Sequence, residues 1–362
     1  MKKTVAVLLV TFVVLAALPK AQAEKSIEDD VKKIAVTGTE VEAMNLKVKP
    51  SQVDIPGVPQ AKPAANKKEA KKAAREKAEA ASQTADESFQ KVAAMANAGD
   101  SQAQYIMGIA CYTGQQVPSD EKTAVEWWRR ASLGGHPDAG AYVGLAYAQG
   151  LGDMPVNEAE AERRYLRAAQ SGSALANVLL GIDGYKKNTP ADKAEAMQRF
   201  RTAEQQGNKQ AKAFLETITR KGTDARLDFS KNLDWKVETG KTSLAELYTR
   251  AGTNAFWGYI VEQDYTAAVS WWELAAKEDH APAQALLGTA YYTGRGVEQN
   301  ETKAVMLFKT AAAKNEPLGQ YMLGKAYLAG NVVQKNKELA IKLFRAAGIA
   351  DAEQQAERLE RG

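Results

Sequence analysis

Cysteine and histidine are almost absent from this chain of 362 residues, which has one cysteine, Cys111, and two histidines, His136 and His280. A single cysteine excludes a disulfide within the chain. Zinc and redox centres need several thiolate or imidazole ligands, and no third histidine is present. We therefore expect no metal site and no cofactor, and we interpret Cys111 as a packed core thiol.

Long apolar runs are also lacking, except at the N-terminus. A basic start, Met1–Lys3, precedes 14 mostly apolar residues, Val5–Leu18, and then Ala21-Gln22-Ala23. This pattern predicts a signal peptide over residues 1–23, cleaved before Glu24. A membrane anchor is the alternative, but the run is shorter than the roughly 20 residues that span a bilayer. We expect a periplasmic or secreted protein with no integral membrane span after cleavage.

An excess of one charge is missing as well. The formal net charge is +4, and removal of three signal-peptide lysines leaves +1 for the mature chain. This balance argues against nucleic acid as a partner. Residues 24–87 are predicted to be a disordered and partly helical spacer, with an Ala/Lys/Glu-rich segment at Lys62–Ala81. That segment is interpreted as a solvated helix or as a basic strap for an acidic partner or lipid head groups, which leaves peripheral association with the envelope open.

What the chain has in abundance is a repeat. An Asp or Asn is followed by Ala four residues later, an aromatic residue eight later and Ala eleven later, in six copies about 36 residues apart or twice that. These offsets place three side chains on one stripe of a helix, and Asp or Asn is a preferred N-cap. The copies begin at Asp120, Asn157, Asp192, Asp264, Asn300 and Asn336 and carry the aromatic residues Trp128, Tyr165, Phe200, Trp272, Phe308 and Phe344.

A second pattern precedes each copy. A small residue is followed by Gly five residues later, usually by Tyr three beyond, and by Gly three further on. A glycine inside a helix predicts close approach of another helix, and the final Gly is typical of a left-handed C-cap. The clearest copies are Ala139/Gly144/Tyr147/Gly150, Ala283/Gly288/Tyr291/Gly294 and Gly319/Gly324/Tyr327/Gly330.

Over residues 88–350 the chain resembles Sel-one-like repeat proteins, relatives of tetratricopeptide repeats, in strings such as Ala283-Gln284-Ala285-Leu286-Leu287-Gly288 and Gly294-Arg295-Gly296-Val297. The resemblance implies an all-α, right-handed α/α superhelical solenoid whose first helices line a concave groove. We predict a first repeat block at 88–221, a degenerate seam at 222–242, a second block at 243–350 and a polar capping helix at 351–362. Glu216 replaces the helix glycine before the seam, and Thr253–Ile260 is interpreted as an aromatic insertion in place of a short loop.

Catalytic motifs are weak. Ser119-Asp120-Glu121-Lys122 matches the S-x-x-K tetrad of penicillin-recognising enzymes, but the accompanying S-D-N and K-T-G motifs are absent. Gly240-Lys241-Thr242 resembles the end of a phosphate-binding loop, but Trp235 stands where its first glycine belongs. The pairs Trp127-Trp128 and Trp271-Trp272 are expected in the core. His136 and His280 are explained by their equivalent repeat positions.

Two features are candidates for binding. Amides follow the small residue of the first-helix pattern and are predicted either to hold a peptide backbone or to bond within the repeat: Gln104, Asn177, Gln284 and Gln320. Phe256, Trp257 and Tyr259 are predicted either to fold back into the core or to form a contact surface. We expect a non-enzymatic scaffold of the bacterial cell envelope that binds a peptide or protein. The alternatives are a cell-wall or β-lactam-directed hydrolase and a peptidoglycan- or motor-associated structural protein.

Overall fold

The computed structural model describes residues 55–56, 67–227, 242–258 and 262–361. Over these residues the chain forms fifteen α-helices and no strand, so the all-α prediction is correct. The predicted signal peptide and most of the spacer lie outside the described residues. The helices are α1 (Lys67–Asn97), α2 (Ser101–Thr113), α3 (Glu121–Leu133), α4 (Pro137–Gln149), α5 (Glu158–Gln170), α6 (Ala174–Lys187), α7 (Pro190–Gln205), α8 (Lys209–Lys221), α9 (Leu244–Trp257), α10 (Tyr265–Lys277), α11 (Ala281–Thr293), α12 (Glu301–Ala313), α13 (Pro317–Ala329), α14 (Lys337–Ala347) and α15 (Ala350–Arg361).

The second helix of each repeat begins at an N-cap side chain that accepts from orphan backbone N–H groups. Five of the six predicted caps are confirmed: Asp120, Asn157, Asp264, Asn300 and Asn336. The prediction for Asp192 is wrong. Pro190 is favourable in the first helical turn, so α7 begins three residues earlier and Thr189 is its cap. Asp192 instead accepts a 2.6 Å hydrogen bond from the Thr189 hydroxyl.

The glycine and aromatic patterns meet in space. In every complete pair of helices, the helix glycine lies directly under the ring of the second helix, so an added Cβ would stand less than 3 Å from ring atoms. These rings are 0–3% exposed. Glycine costs up to about 1 kcal/mol relative to alanine inside a helix, and this contact explains why it recurs. The pairs are Gly108–Trp128, Gly144–Tyr165, Gly181–Phe200, Gly252–Trp272, Gly288–Phe308 and Gly324–Phe344.

The pair at Gly252 corrects one prediction. Thr253–Trp257 is not a loop insertion but the last part of α9, which ends at the left-handed Gly258. Leu247, Gly252 and Gly258 occupy the small, glycine and C-cap positions of the first-helix pattern. Leucine and alanine had replaced its small and tyrosine residues and concealed the match. The repeat after the seam is therefore regular.

The described residues form two compact units. One consists of residues 64–278, and the other of residues 279–362 together with Ile55 and Pro56. Within the first unit, α9 lies against α2 and α10 against α1, although these helices belong to distant repeats. The Gln115 amide also donates to the Thr242 carbonyl at 3.2 Å. Contacts of this kind are not expected from stacking of nearest neighbours alone.

The ends of the array differ from the predicted boundaries in detail. Helix α1 runs through position 88 without interruption, but its side chains are buried only from Ser88 onward, at Phe89, Val92 and Ala96. Its exposed first part is the helical spacer that composition predicted. Helix α15 packs against α14 and buries only Ala352 and Ala356, as a polar capping helix should.

The described part of the seam is packed rather than open. After α8 ends at Gly222, Ala225 and Leu227 are 7% and 8% exposed, and Leu227 joins a core cluster that contains Ile182 and Phe214. Glu216, in the position of the helix glycine, is exposed. The short segment Thr223–Leu227 therefore supplies apolar contacts where a second helix would follow in a complete repeat.

Candidate functional site

The four predicted amides are buried side chains, with exposures of 8%, 3%, 6% and 2% for Gln104, Asn177, Gln284 and Gln320. Gln104 donates to the Ala96 carbonyl at 3.0 Å, which joins α2 to α1. Such burial and bonding correspond to the second of the two predicted roles, bonding within the array. A role in holding a peptide stays a prediction and would require these side chains to exchange partners.

Each amide has an equivalent partner at the end of its own repeat, 14 residues after the second-helix Asp or Asn position. Asn177 donates to the Gln206 side chain at 3.2 Å. The Lys314 ammonium lies 3.5 Å from the Gln284 oxygen. The position after Asn336 is Ala350, which has no polar group, and the Gln320 oxygen is buried without a hydrogen-bond partner. The final repeat thus leaves one amide oxygen unsatisfied because its closing loop is three residues shorter.

Tyr248 and Glu278 occupy the same pair of positions in the repeat of α9 and α10. The Tyr248 hydroxyl and one Glu278 oxygen are buried without hydrogen-bond partners. Burial raises the pKa of Glu278 to about 7. Burial, and then the Glu278 carboxylate, raise the pKa of Tyr248. The repeat pattern at Leu247 would have indicated this pair, but it was hidden by the substitutions described above.

His136 is an N-cap residue. Its Nδ1 accepts from the Ala139 N–H at 3.2 Å, so Nε2 carries the proton and faces the Gln102 oxygen at 3.2 Å. The ring stacks on Tyr105 with centroids 4.2 Å apart. Burial, and then the nearby Arg250 guanidinium, lower the pKa of His136 to about 3. His280 holds the N-cap position of α11, so repeat position explains both histidines.

Arg250, on α9, also acts on Asp138 of α4. The Ser173 hydroxyl donates to Asp138 at 2.6 Å. Burial raises the pKa of Asp138, while the Ser173 bond and Arg250 oppose this rise. The surface of the first repeats beside His136 and Asp138 therefore faces a cation of the later repeat.

The tetrad at Ser119 serves local structure. The Ser119 hydroxyl donates to the Tyr112 carbonyl at 3.0 Å, and the Lys122 ammonium lies 3.7 Å from the Asp153 carboxylate. Asp120 accepts from the backbone N–H groups of Lys122 and Thr123 as the cap of α3. Neither polar group of the tetrad is engaged with the other.

The remaining candidates are mostly core residues. Trp128, Trp271 and Trp272 are buried as predicted, whereas Trp127 is partly exposed beneath Arg130, whose guanidinium is 4.9 Å from the ring centroid. Cys111 is buried, and burial and then Asp120 raise the pKa of its thiol. In the part of the chain that the structure describes, no cluster of three or more His, Cys, Asp or Glu side chains suits a metal ion.

The aromatic group at the end of α9 is divided. Phe256 is 4% exposed, and its centroid lies 4.9 Å from Tyr265 and 5.2 Å from Trp272, so it has folded back into the core. Trp257 is partly exposed and meets Phe256 edge-on at 4.7 Å. Tyr259, Gly240 and Lys241 lie outside the described residues. Of the three aromatic candidates, Trp257 is the one with described exposed surface.

This geometry defines an array of α/α repeats, each closed by a glycine and an aromatic ring. The family profile described as Sel1 repeat matches residues 101–136, 137–173, 246–280, 281–316 and 317–350. The chain is a Sel1-repeat protein. The profile does not match the repeat of α6 and α7, which nevertheless has the same Gly181–Phe200 contact.

Solved structures similar to this chain include a protective antigen of uropathogenic Escherichia coli with an SLR fold. It is 26% identical, with a TM-score of 0.33, and the match covers 72% of this chain and 56% of the antigen. A Sel1 repeat protein from Oxalobacter formigenes is 25% identical, with a TM-score of 0.30, over 75% of this chain and 80% of that protein. A search among curated proteins found no significant match. No described helix is both long and apolar enough to cross a membrane.

Proposed function

We propose that this protein is a non-enzymatic scaffold of the bacterial cell envelope that binds a peptide or protein on its repeat array. The observation that carries the proposal is that side chains suited to chemistry are occupied by structural roles. His136 caps a helix, Asp120 caps the next, and Cys111 is packed in the core. A Sel1-repeat array is a fold used for protein interaction, since stacked repeats offer an extended surface.

The binding surface that we propose is the groove of the first helices, with Trp257 at its edge. Partly exposed tryptophans are enriched among the residues that dominate interface energies. The buried amides would contribute by exchanging a bond within the array for one to a peptide backbone. The unpartnered Gln320 oxygen would accept a bond without such an exchange.

Photo-crosslinking in intact cells tests this surface. A photoreactive residue at Trp257 should capture one specific partner. The same residue at Leu133, which is 87% exposed on the second helix α3, is the matched control. Equal capture from both positions, or none from Trp257, would contradict the assignment.

The envelope location is supported by the N-terminal sequence. Export should yield a mature chain that begins at Glu24, which N-terminal sequencing of the protein from a periplasmic or culture fraction will show. Retention of Met1 in the cytoplasm would refute the location. The hydrolase alternative predicts covalent labelling by a fluorescent penicillin that disappears in Ser119→Ala; we expect no labelling in either chain.

A further inference from the structure

The segment after α8 lies in a pocket formed by α6, α7 and α8. Val178 and Ile182 of α6 and Phe214 and Ile218 of α8 form one buried cluster, which Leu227 completes. The Tyr185 hydroxyl lies 2.8 Å from the carbonyl oxygens of both Thr223 and Ala225, to either of which it can donate. A side chain thus holds the backbone of this segment at two alternate residues.

A buried cation completes the pocket. The Lys193 side chain on α7 is only 9% exposed, and its Nζ lies 2.6 Å from the Asp224 carboxylate, whose side chain is 92% exposed. The Nζ also lies 5.6 Å from the centre of the Tyr185 ring. Burying a lysine is costly without an anion, so this position demands a carboxylate. The aspartate, in contrast, belongs to an exposed residue that reaches in.

The pocket does not depend on the segment for its shape. Phe200 and Phe214 join α7 to α8 with centroids 5.1 Å apart, and Gly181 lies beneath Phe200. The segment itself is held by few contacts, because Thr223, Asp224 and Arg226 are exposed and only Ala225 and Leu227 are buried. Removing the segment should therefore uncover the pocket without dissolving its walls.

Bonds to the backbone, a pocket for one apolar side chain and a charged partner for an acidic one are the elements of extended-peptide recognition. We propose that this pocket is a peptide-binding site now occupied by the chain's own Thr223–Leu227. Its partner is an extended segment of another protein with an acidic residue three positions before a leucine. The inference rests on the proposed scaffold function and gives it a second, self-occupied site. A tethered segment competes at an effective concentration on the order of 1 mM, so the native site is largely closed.

The test uses the full chain with residues 223–227 replaced by alternating glycine and serine. The probe is a fluorescently labelled peptide with the sequence of residues 222–227, followed by anisotropy. We expect the replaced chain to bind it about tenfold or more tighter than the native chain, because the competing segment is gone. Peptides with Asn for Asp224, or with Ala for Leu227, should bind about tenfold more weakly, and Lys193→Met in the chain should remove the preference for Asp.

Three results would overturn the proposal. One is no binding by a replaced chain whose circular dichroism is native, and another is equal binding of the Asp and Asn peptides. A native chain that is a dimer by light scattering, and becomes a monomer on replacement, would make a second copy the occupant instead of a partner. If the replaced chain does not fold, Asp224→Asn opens the site more gently, and failure of that variant to bind better than the native chain also sinks the proposal. Capture from Trp257 is independent of all these results, so failure here leaves the scaffold function standing.

Discussion

Alanine at two glycines of α6 separates steric overlap from helix propensity. Gly181 and Gly184 lie in the same helix, both with helical backbone angles. A Cβ at Gly181 would stand 2.6 Å from the Phe200 ring, whereas one at Gly184 would stand 3.4 Å from the Asp192 carbonyl and 3.6 Å from Ala196. The first is an overlap and the second an ordinary contact.

The two substitutions gain the same helix propensity, up to about 1 kcal/mol. Overpacking a buried site typically costs about 1–3 kcal/mol, and Phe200 is 0% exposed, so its ring has no open space to enter. Gly184→Ala should therefore raise the free energy of unfolding by about 0.5–1 kcal/mol. Gly181→Ala should lower it by about 1–2 kcal/mol, which leaves a gap of roughly 2 kcal/mol between two variants of one helix.

Urea unfolding followed by far-ultraviolet circular dichroism measures the gap from the shift in midpoint at constant slope. Adding Phe200→Leu to Gly181→Ala should cost less than the two single changes together, because the smaller side chain relieves the overlap. Equal shifts in the same direction for both alanine variants would refute the close contact. Strict additivity in the double variant would do the same.

Other perturbations test the core, the aromatic group and the buried histidine. Trp128→Ala and Phe308→Ala should each lower stability in urea titrations by about 3–5 kcal/mol, since both rings are at most 1% exposed. Phe256→Ser should cost about 3 kcal/mol or more in the same titration, whereas Trp257→Ser should spare stability and reduce partner capture. The unfolded chain protonates His136 below pH 6.5 and the folded chain only near pH 3, so stability falls as pH drops through this window, by about 2 kcal/mol at pH 5. His136→Asn keeps a capping side chain and should abolish this loss in melts compared at pH 7 and 5, and buried carboxyls whose raised pKa acts in the opposite direction cancel between the two chains.

Local rules account for most of what the sequence predicted. An Asp or Asn cap is read from one residue and its neighbours, so five of six second-helix starts were correct. The helix glycines predicted close approach because glycine has no other advantage inside a helix. Thr189 escaped because a proline in the first turn moved the start of α7, a local signal that the six-copy pattern outweighed.

Long-range features could not be predicted in the same way. Nothing in the repeat period specifies that α9 returns to α2 or that Arg250 approaches Asp138, since these contacts join residues more than a hundred positions apart. The role of the amides was also left open, because Gln and Asn serve equally well inside and outside a protein interior. Their burial depended on partners such as Gln206, whose spacing becomes meaningful only once both helices are placed.

In a periodic array, function is best sought where a position stops playing its periodic part. Gln320 has lost its partner to Ala350, and Glu216 stands exposed where a glycine would meet a ring. Lys193, at a helix start where Glu121 and Glu301 are exposed, is buried and takes a carboxylate from an exposed segment. Stacking alone does not require any of these three departures, and the last two lie at the seam. Because the intact repeats use their polar groups for folding, the seam is the part of the array with chemistry left to offer a partner.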